Sequence, residues 1–467
     1  MRKNPKTIKE VKSDKGNGPS GGGTYNPNTS QEPGTTGRHL VLFRKPDPAA
    51  HSKFLNKVAG LIATNASDHQ TGVSTVEMLK TADAALFDKL GVAVVNAPQE
   101  KIDMIRTAPG AGDVILHVRK ERILYAWDSS FVPGVVGPRL IPSPGGPAMP
   151  LDYLRGYRDA VDQLVGRIVG SSGVAELGVA AVDESQVTWG LQATNVPASS
   201  FSGKGIRVAV LDTGLDLQHP DFAGRQITAN SFVAGVTAQD GHGHGTHCVG
   251  TSCGPKQPGQ LPRYGIAYDA EIFVGKVLSD QGSGAEGDIL NGLQWAIEQG
   301  CVVISMSLGS PVSPGQQPDP IFEEVAQRAL AAGTLIVAAA GNDSQRPGDI
   351  EPVGHPANCP SVLAVGALDQ QFAIGFFSNG GINPQGGGVD VAGPGLDVRS
   401  SWPAPKLYNT ISGTSMATPH VAGIAALLAE ANPSARGNAL WALLTQRAKR
   451  LSLPSRDIGS GLVQAPQ

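Results

Sequence analysis

Cysteine, aromatic and charged residues are all scarce in this chain of 467 residues. Four cysteines are too few for a disulfide-built scaffold, and they do not separate a reducing from an oxidising compartment. Charged residues make up only 16%, and 37 basic against 40 acidic side chains leave a formal net charge of −3. Because no basic field exists to hold a phosphate backbone, we expect no nucleic-acid partner.

Long apolar runs are also missing. No segment approaches the roughly 18 unbroken apolar residues of a membrane span, so we expect no membrane partner. The basic start, residues 1–6, is not followed by the run of about 7–15 apolar residues that a secretory signal requires. The sequence therefore predicts a cytoplasmic protein, with secretion as the alternative, because a mis-assigned start would leave the same pattern.

Glycine and proline, by contrast, are abundant, with 60 and 35 residues respectively. Apolar residues still make up 40%, which is typical of a loop-rich globular protein. Composition shifts divide the chain into a disordered tail over residues 1–37, a small α+β unit over 38–127, a Pro/Gly-rich linker over 128–185 and a larger unit over 186–467. The linker includes an amphipathic helical pattern within residues 151–170.

The small unit alternates strand and helix patterns. Residues 39–43, 92–95 and 113–118 read as strands, and residues 49–63 and 99–107 as helices.

The larger unit places nearly continuous apolar strands between helices. Residues 207–211, 302–304 and 335–338 read as strands, and 287–299 and 320–332 as helices. Strands that are apolar throughout are typical of a parallel sheet covered on both faces, so we predict an α/β fold.

Four reactive or hydrogen-bonding side chains stand where such strands end or helices begin: Asp212, His244, Asn342 and Ser415. A serine hydroxyl becomes a nucleophile when an imidazole removes its proton, and a carboxylate orients that imidazole. A side-chain amide can donate to the developing oxyanion. These residue types in this order predict acyl transfer.

The surrounding motifs resemble the three signature blocks of the subtilisin-like serine proteases, the subtilases. The blocks are Asp212-Thr213-Gly214, His244-Gly245-Thr246-His247 and Gly413-Thr414-Ser415-Met416-Ala417-Thr418-Pro419-His420. The likeness runs over roughly residues 189–451, and Cys248 after His247 resembles the proteinase K branch. It implies a subtilisin-like parallel sheet flanked by helices.

The resemblance also implies roles. Asp212 would orient His244, the general base and acid; Ser415 would be the nucleophile and Asn342 the oxyanion donor. The substrate-binding residues it implies are Gly282, Ser283 and Gly284 at the edge pairing with an extended substrate, Ser307, Leu308 and Gly309 beside the primary specificity pocket, and Gly354 at the pocket base.

Two further expectations follow from the same likeness. Glu286 falls where relatives often carry an aromatic wall of a distal pocket, which implies a preference for basic or polar substrate residues. No cofactor is required for the chemistry, but Asp390 with the carbonyls of Pro360 and Val362 resembles a structural calcium site.

The layout of residues 38–127 resembles the ferredoxin-like inhibitory propeptide of this family. We therefore expect a monomeric, self-inhibited zymogen that acts on polypeptide substrates, with its own propeptide as intramolecular inhibitor and residues 124–127 in the cleft. Three alternatives stay open: a zinc site among His242, His244, His247 and Cys248, an acyl-transferring ligase or macrocyclase, and a permanently inhibited peptide-binding module.

Overall fold

Residues 34–127 and 182–467 are the parts of the chain that this computed structural model describes. The predicted linker and its amphipathic helix within 151–170 lie outside these ranges except for residues 182–185, and most of the predicted tail does too. The domain boundaries therefore stay predictions, and the described ranges are treated as an amino-terminal unit, 34–127, and a main unit, 182–467.

The amino-terminal unit is a five-stranded sheet with helices between its strands. Its strands run in the order β5-β1-β4-β3-β2, and every neighbouring pair is antiparallel except β2 and β3. The four longer strands follow the β-α-β-β-α-β path of a ferredoxin-like unit. The strands are β1 Thr35–Phe43, β2 Ala63–Asn65, β3 Ala84–Phe87, β4 Val92–Val95 and β5 Ile115–Ala126; the helices are Pro48–Ala59, Thr75–Met78, Gln99–Thr107 and Ala111–Val114.

Two predicted boundaries in this unit were wrong. The helix predicted over 49–63 ends at Ala59, because Gly60 adopts a left-handed conformation with φ of 64° and its N–H bonds back to Asn56 and Leu55 carbonyls. The strand predicted over 113–118 begins only at Ile115, since Ala111–Val114 forms a single helical turn. A one-turn helix is too short for its apolar pattern to be told from a strand.

The main unit is built on a seven-stranded sheet in the order β14-β13-β12-β10-β6-β8-β7, and every neighbouring pair in it is parallel. This confirms the predicted α/β fold. The strands of the main unit are β6 Arg207–Asp212, β7 Ile227–Ser231, β8 Glu271–Lys276, β9 Ser283–Ala285, β10 Val303–Met306, β11 Leu308–Gly309, β12 Leu335–Ala339, β13 Leu363–Leu368, β14 Val391–Pro394, β15 Val398–Ser401 and β16 Tyr408–Ile411.

Helices cover both faces of this sheet. Along β6, Ala209 and Leu211 join one buried cluster, with the helices Glu286–Glu298 and Pro320–Ala331, whereas Val208 and Val210 join the other, with His244–Cys253 and Thr414–Ala431. Burial on both sides is why the strand sequences are apolar throughout. The remaining α-helices of this unit are Trp189–Ala193, Asn438–Arg447 and Ser455–Ile458, and Val196–Ala198 and Pro220–Phe222 form short 3₁₀ helices.

The two units meet along β5. This strand leaves its own sheet and pairs antiparallel with β9 on one side, through Tyr125 and Ser283, and with β11 on the other, through Ala126 and Leu308. Within the described residues, no helix is both long enough and apolar enough to cross a membrane.

Candidate active site

The carboxyl edge of the parallel sheet gathers the predicted reactive groups. Asp212 is the last residue of β6, and His244 and Ser415 are the first and second residues of two helices that begin at this edge. All three side chains are buried, at 1%, 0% and 0% exposure. Because the first N–H groups of a helix have no partner inside it, the Ser415 N–H is free to bind a developing negative charge.

Asp212 and His244 form a direct pair. His244 Nδ1 lies 2.8 Å from Asp212 Oδ1, which also accepts from the N–H of Thr213 at 2.7 Å. Burial opposes protonation of the imidazole, but the Asp212 carboxylate outweighs it, and the pKa of His244 is held well above 6.5. With Nδ1 bonded to the carboxylate, the other ring nitrogen, Nε2, is buried and has no hydrogen-bond partner among the described residues.

Ser415 is not bonded to that nitrogen in this structure. Its Oγ donates instead to the carbonyl of Ser307 at 3.1 Å, while the Ser307 hydroxyl donates to the Ser415 carbonyl at 2.8 Å. Catalytic contacts between a serine and its histidine are often long in unreacted structures and tighten only during reaction.

Asn342 stands three residues after Ala339, the last residue of β12. Its Oδ1 accepts from both the N–H and the hydroxyl of Thr414, at 2.9 and 2.8 Å. Those two donors fix the amide so that its Nδ2 points into the cleft, where it donates to the carbonyl oxygen of Trp127 at 2.8 Å. The amide therefore does for this carbonyl what an oxyanion donor does.

The six residues predicted to line the cleft, Gly282–Gly284 and Ser307–Gly309, all lie against residues 124–127. The N–H of Ala126 donates to Gly282 and that of Trp127 to Ser307, at 2.9 and 3.1 Å. The strand registers add the rest, with Tyr125 opposite Ser283 and Gly309, Leu124 opposite Gly284, and Ala126 opposite Leu308. This is strand addition on two edges at once, which holds an extended chain by its main-chain groups.

The side chain of Trp127 fills the predicted primary pocket and is 2% exposed. A Cβ at Gly354 would lie 3.0 Å from the indole, and one at Gly309 only 2.3 Å from it. Glycine at both positions is therefore what makes room for a large flat side chain.

Two buried groups near the triad were missed by sequence reasoning. Both oxygens of Asp240 accept hydrogen bonds, one from Thr213 and the other from Thr246, so the carboxylate ties the end of β6 to the helix that carries His244. Lys276 is fully buried and donates to the Thr213 carbonyl and, at 2.6 Å, to Asp280. An aspartate four residues before the histidine in a glycine-rich loop was the available signal for Asp240.

The predicted metal ligands lie at the opposite edge of the sheet. Asp390 immediately precedes β14 and Val362 precedes the adjacent β13. Asp390 Oδ2 accepts from the Ala364 N–H at 2.8 Å, and burial raises the pKa of this carboxyl to about 7. A carboxylate and backbone carbonyl oxygens are donor types that suit a hard cation such as calcium, so the residue types fit, and calcium here stays a prediction.

A zinc cluster of His242, His244, His247 and Cys248 is not assembled. Among the described residues the metal-ligand side chains that come together are Asp212, His244 and Cys248. The His247 ring instead bonds the Val398 carbonyl through Nε2 at 2.9 Å, and burial lowers the pKa of His247 to about 3.

Buried parallel strands with an acid, a histidine, a serine and an amide at their carboxyl edge define a serine hydrolase of α/β architecture. Comparison with known proteins narrows the class. Residues 203–461 match the model of the subtilase family, and the chain belongs to that family. The amino-terminal unit lies outside the matched residues.

Named relatives agree. An alkaline protease of Alkalihalobacillus alcalophilus is 39% identical over 284 residues, which cover 60% of this chain and 69% of the relative. Subtilisin Savinase of Lederbergia lenta is also 39% identical over 284 residues, covering 60% of this chain and 97% of the relative. Subtilisin E of Bacillus subtilis is 37% identical over 253 residues, covering 53% and 62%. The predicted serine endopeptidase is confirmed; the likeness of Cys248 to the proteinase K branch stays a prediction.

Proposed function

We propose that the chain is made as a self-inhibited zymogen whose amino-terminal unit is an intramolecular propeptide. The single observation that supports this most is the hydrogen bond from Asn342 to the Trp127 carbonyl, because it sets that carbonyl where an oxyanion would form. On this proposal the maturation site is the peptide bond between Trp127 and Asp128. Other polypeptides then bind in the alignment that residues 124–127 take in the cleft, and they are cut after the residue that replaces Trp127.

The chemistry follows from the side chains at the cleft. Ser415 Oγ attacks the carbonyl carbon of the residue in the primary pocket and gives its proton to His244 Nε2, while Asp212 stabilises the imidazolium. The carbonyl oxygen becomes an oxyanion bound by Asn342 Nδ2 and the Ser415 N–H. His244 then protonates the leaving nitrogen, the C–N bond breaks, and the acyl-enzyme remains. Water, deprotonated by His244, releases the acid.

Calcium belongs to the same proposal as a structural ion, with no part in the reaction. Asp390 and the carbonyls of Pro360 and Val362 would hold it, and the hydrogen bond from the Ala364 N–H, which brings Asp390 to the start of β13 two residues after Val362, supports this. Its charge would offset the cost of burying that carboxylate.

Intact-mass measurement of the full chain and of Ser415→Ala, before and after incubation, tests the proposal. We expect the unaltered chain alone to lose an amino-terminal fragment and to gain Asp128 as its new first residue. Full length in both proteins would favour a permanently inhibited peptide-binding module. Fragments joined to an amine, without the added mass of water, would favour a ligase.

A further inference from the structure

Two buried carboxylates, Glu286 and Asp319, lie beside β5 on the amino-terminal side of the cleft. We call them the acidic recess. Glu286 begins the helix Glu286–Glu298, and Asp319 caps the helix Pro320–Ala331; their side chains are 0% and 6% exposed. Both bind one guanidinium, since Arg122 Nη2 lies 2.8 Å from Glu286 Oε1 and 2.9 Å from Asp319 Oδ2.

The recess is aligned with a defined position along the bound strand. Counting back from Trp127 as the first residue, Arg122 is the sixth. Glu286 binds its main chain as well as its side chain, because Oε2 accepts from the Arg122 N–H at 2.8 Å and Oε1 from Nε at 3.0 Å. Any extended peptide bound in the same register brings its own sixth residue to the recess.

The recess needs a cation. Burial opposes ionisation of Glu286, but a hydrogen bond from His355 and the charges of Arg119 and Arg122 outweigh it, so the pKa of Glu286 lies well below its usual value. Burial and the Arg122 charge lower the pKa of His355, so the neighbouring ring stays neutral and supplies no charge. Two buried carboxylates without a cation are costly.

The amino-terminal unit supplies a second guanidinium. Arg119 Nη1 and Nη2 lie 2.5 and 2.9 Å from the Glu286 carboxylate, and Arg119 Nε lies 2.5 Å from Asp319. Arg119 lies in β5 opposite Leu40 of β1, so a short peptide does not carry its equivalent to the recess. When the amino-terminal unit is released, the recess therefore loses the guanidinium groups of Arg119 and Arg122. A bound substrate supplies a cation only at the position of Arg122.

We propose that the acidic recess is a specificity site that selects substrates with arginine at the sixth residue before the scissile bond. This rests on the proposed function, which sets Trp127 at the residue before that bond. Arginine suits the recess better than lysine, because a planar fork reaches both carboxylates whereas an ammonium is a point charge. Because Arg119 also binds the recess, we expect the chain's own β5 to bind there more tightly than a substrate does.

The experiment uses the full chain, incubated until its mass is constant, and internally quenched peptides of sequence Arg-Ile-Leu-Tyr-Ala-Trp-Asp-Ser-Ser. Variants of the peptide carry lysine, glutamine or glutamate at the first position. We expect kcat/KM for the arginine peptide to exceed that for glutamine by about tenfold, with lysine between them and glutamate lowest. Glu286→Gln with Asp319→Asn should bring the arginine-to-glutamine ratio close to one.

A matched control removes one acid elsewhere. Glu271 pairs with Arg207 at the opposite, amino end of the strands, at 3.0 Å, so Glu271→Gln should leave the ratio unchanged. If the unaltered protein cleaves all four peptides equally, the specificity site is wrong and the proposed function stands. If it cleaves none, as Ser415→Ala does, the proposed function falls and the specificity site with it.

The specificity site can be tested even if the variant with both Glu286→Gln and Asp319→Asn does not fold. The peptide preference is measured first on the unaltered protein, and Asp319→Asn alone keeps the oxygen that caps the following helix. A second readout needs no catalysis: in the Ser415→Ala chain, the two substitutions should raise hydrogen exchange over residues 119–127. Unchanged exchange there would contradict the recess as a holder of the strand.

Discussion

The side-chain amide of Asn342 donates to the carbonyl oxygen of Trp127, while Thr414 holds the other end of the same amide. Because the N–H of Thr414 can only donate, it settles which way the amide faces. The donor is thus fixed before charge develops on the carbonyl, and no reorganisation is needed during reaction. This relationship also joins the amino-terminal unit to the main unit.

Replacing Asn342 by leucine removes that donor at similar size. We expect kcat to fall by about 10²–10³-fold with little change in KM, a magnitude that is known for the equivalent donor in subtilisin, a member of this family. Steady-state kinetics on a peptide substrate measures the changes in kcat and in KM separately. Thr414→Val, which loses only the hydroxyl that orients Asn342, should give a smaller fall in the same parameter. An unchanged kcat in Asn342→Leu would contradict an oxyanion role.

Gly354→Ala should narrow the primary pocket. The added Cβ would stand 3.0 Å from the indole of Trp127, which is too close for a large aromatic residue. We expect kcat/KM to fall about tenfold for a tryptophan peptide and to change little for an alanine peptide, because only the larger side chain meets the new methyl group. Gly386→Ala is the control, since its nearest neighbour is an ordinary 3.5 Å away. Equal losses for both peptides would mean a general defect.

Asp240→Ala should slow the reaction through the geometry of the triad. The carboxylate accepts from Thr213, next to Asp212, and from Thr246, two residues after His244, so its loss frees both groups. We expect kcat to fall by about tenfold or more with KM nearly constant, since a small misplacement of reacting groups is costly. Asp269→Ala is the matched control, because Asp269 is an exposed acid that precedes β8, at the edge of the sheet away from the triad. A raised KM at constant kcat would point to the substrate cleft instead.

Calcium is tested by thermal unfolding of the Ser415→Ala chain with chelator and with excess calcium. We expect a higher Tm with calcium, because binding to the folded state alone is stabilising. Asp390→Asn should abolish the difference, whereas Asp369→Asn, in the loop after β13, should keep it. An equal Tm with chelator and with calcium, in the chain that keeps Asp390, would contradict calcium binding at this site.

The triad and its neighbours could be predicted from sequence because each sits in a contiguous motif. His244 and Ser415 start helices, Asp212 ends a strand, and parallel strands bring such ends to one edge. The contacts of Glu286 were harder to predict from the sequence. The pairing with Arg122 joins residues 164 apart, and it exists only in the register that β5 takes against β9. A one-residue slip would turn that arginine to the other face.

Likeness to relatives predicted only a preference for basic or polar substrate residues near Glu286, whereas the structure shows that Arg122 is the residue of β5 that Glu286 binds through both main chain and side chain. For Asp240, too, the sequence showed the residue type but not its contacts. Its residue type was visible in a glycine-rich loop, but the two donors that give it a role come from separate elements.

We expect Asp288 to make docking of the amino-terminal unit depend on pH. Burial raises the pKa of this carboxyl to about 7, from an ordinary 3.8, and the other groups that act on it, Arg38, Glu121 and Thr75, all belong to the amino-terminal unit. When that unit leaves, the carboxyl is expected to return towards its ordinary pKa. Docking therefore takes up a proton, and this group weakens docking as pH rises from about 4 through 7.

Asp288→Asn removes the charge and should reverse that loss. In the Ser415→Ala chain we expect the two proteins to have similar Tm values near pH 3, where the carboxyl is mostly neutral in both states, and the asparagine variant to become the more stable as pH rises towards 8. Glu286, Asp319 and His355 are present in both proteins, so their titration cancels in the difference. A difference in Tm that stays constant across this range would show that Asp288 does not exchange a proton when the unit docks.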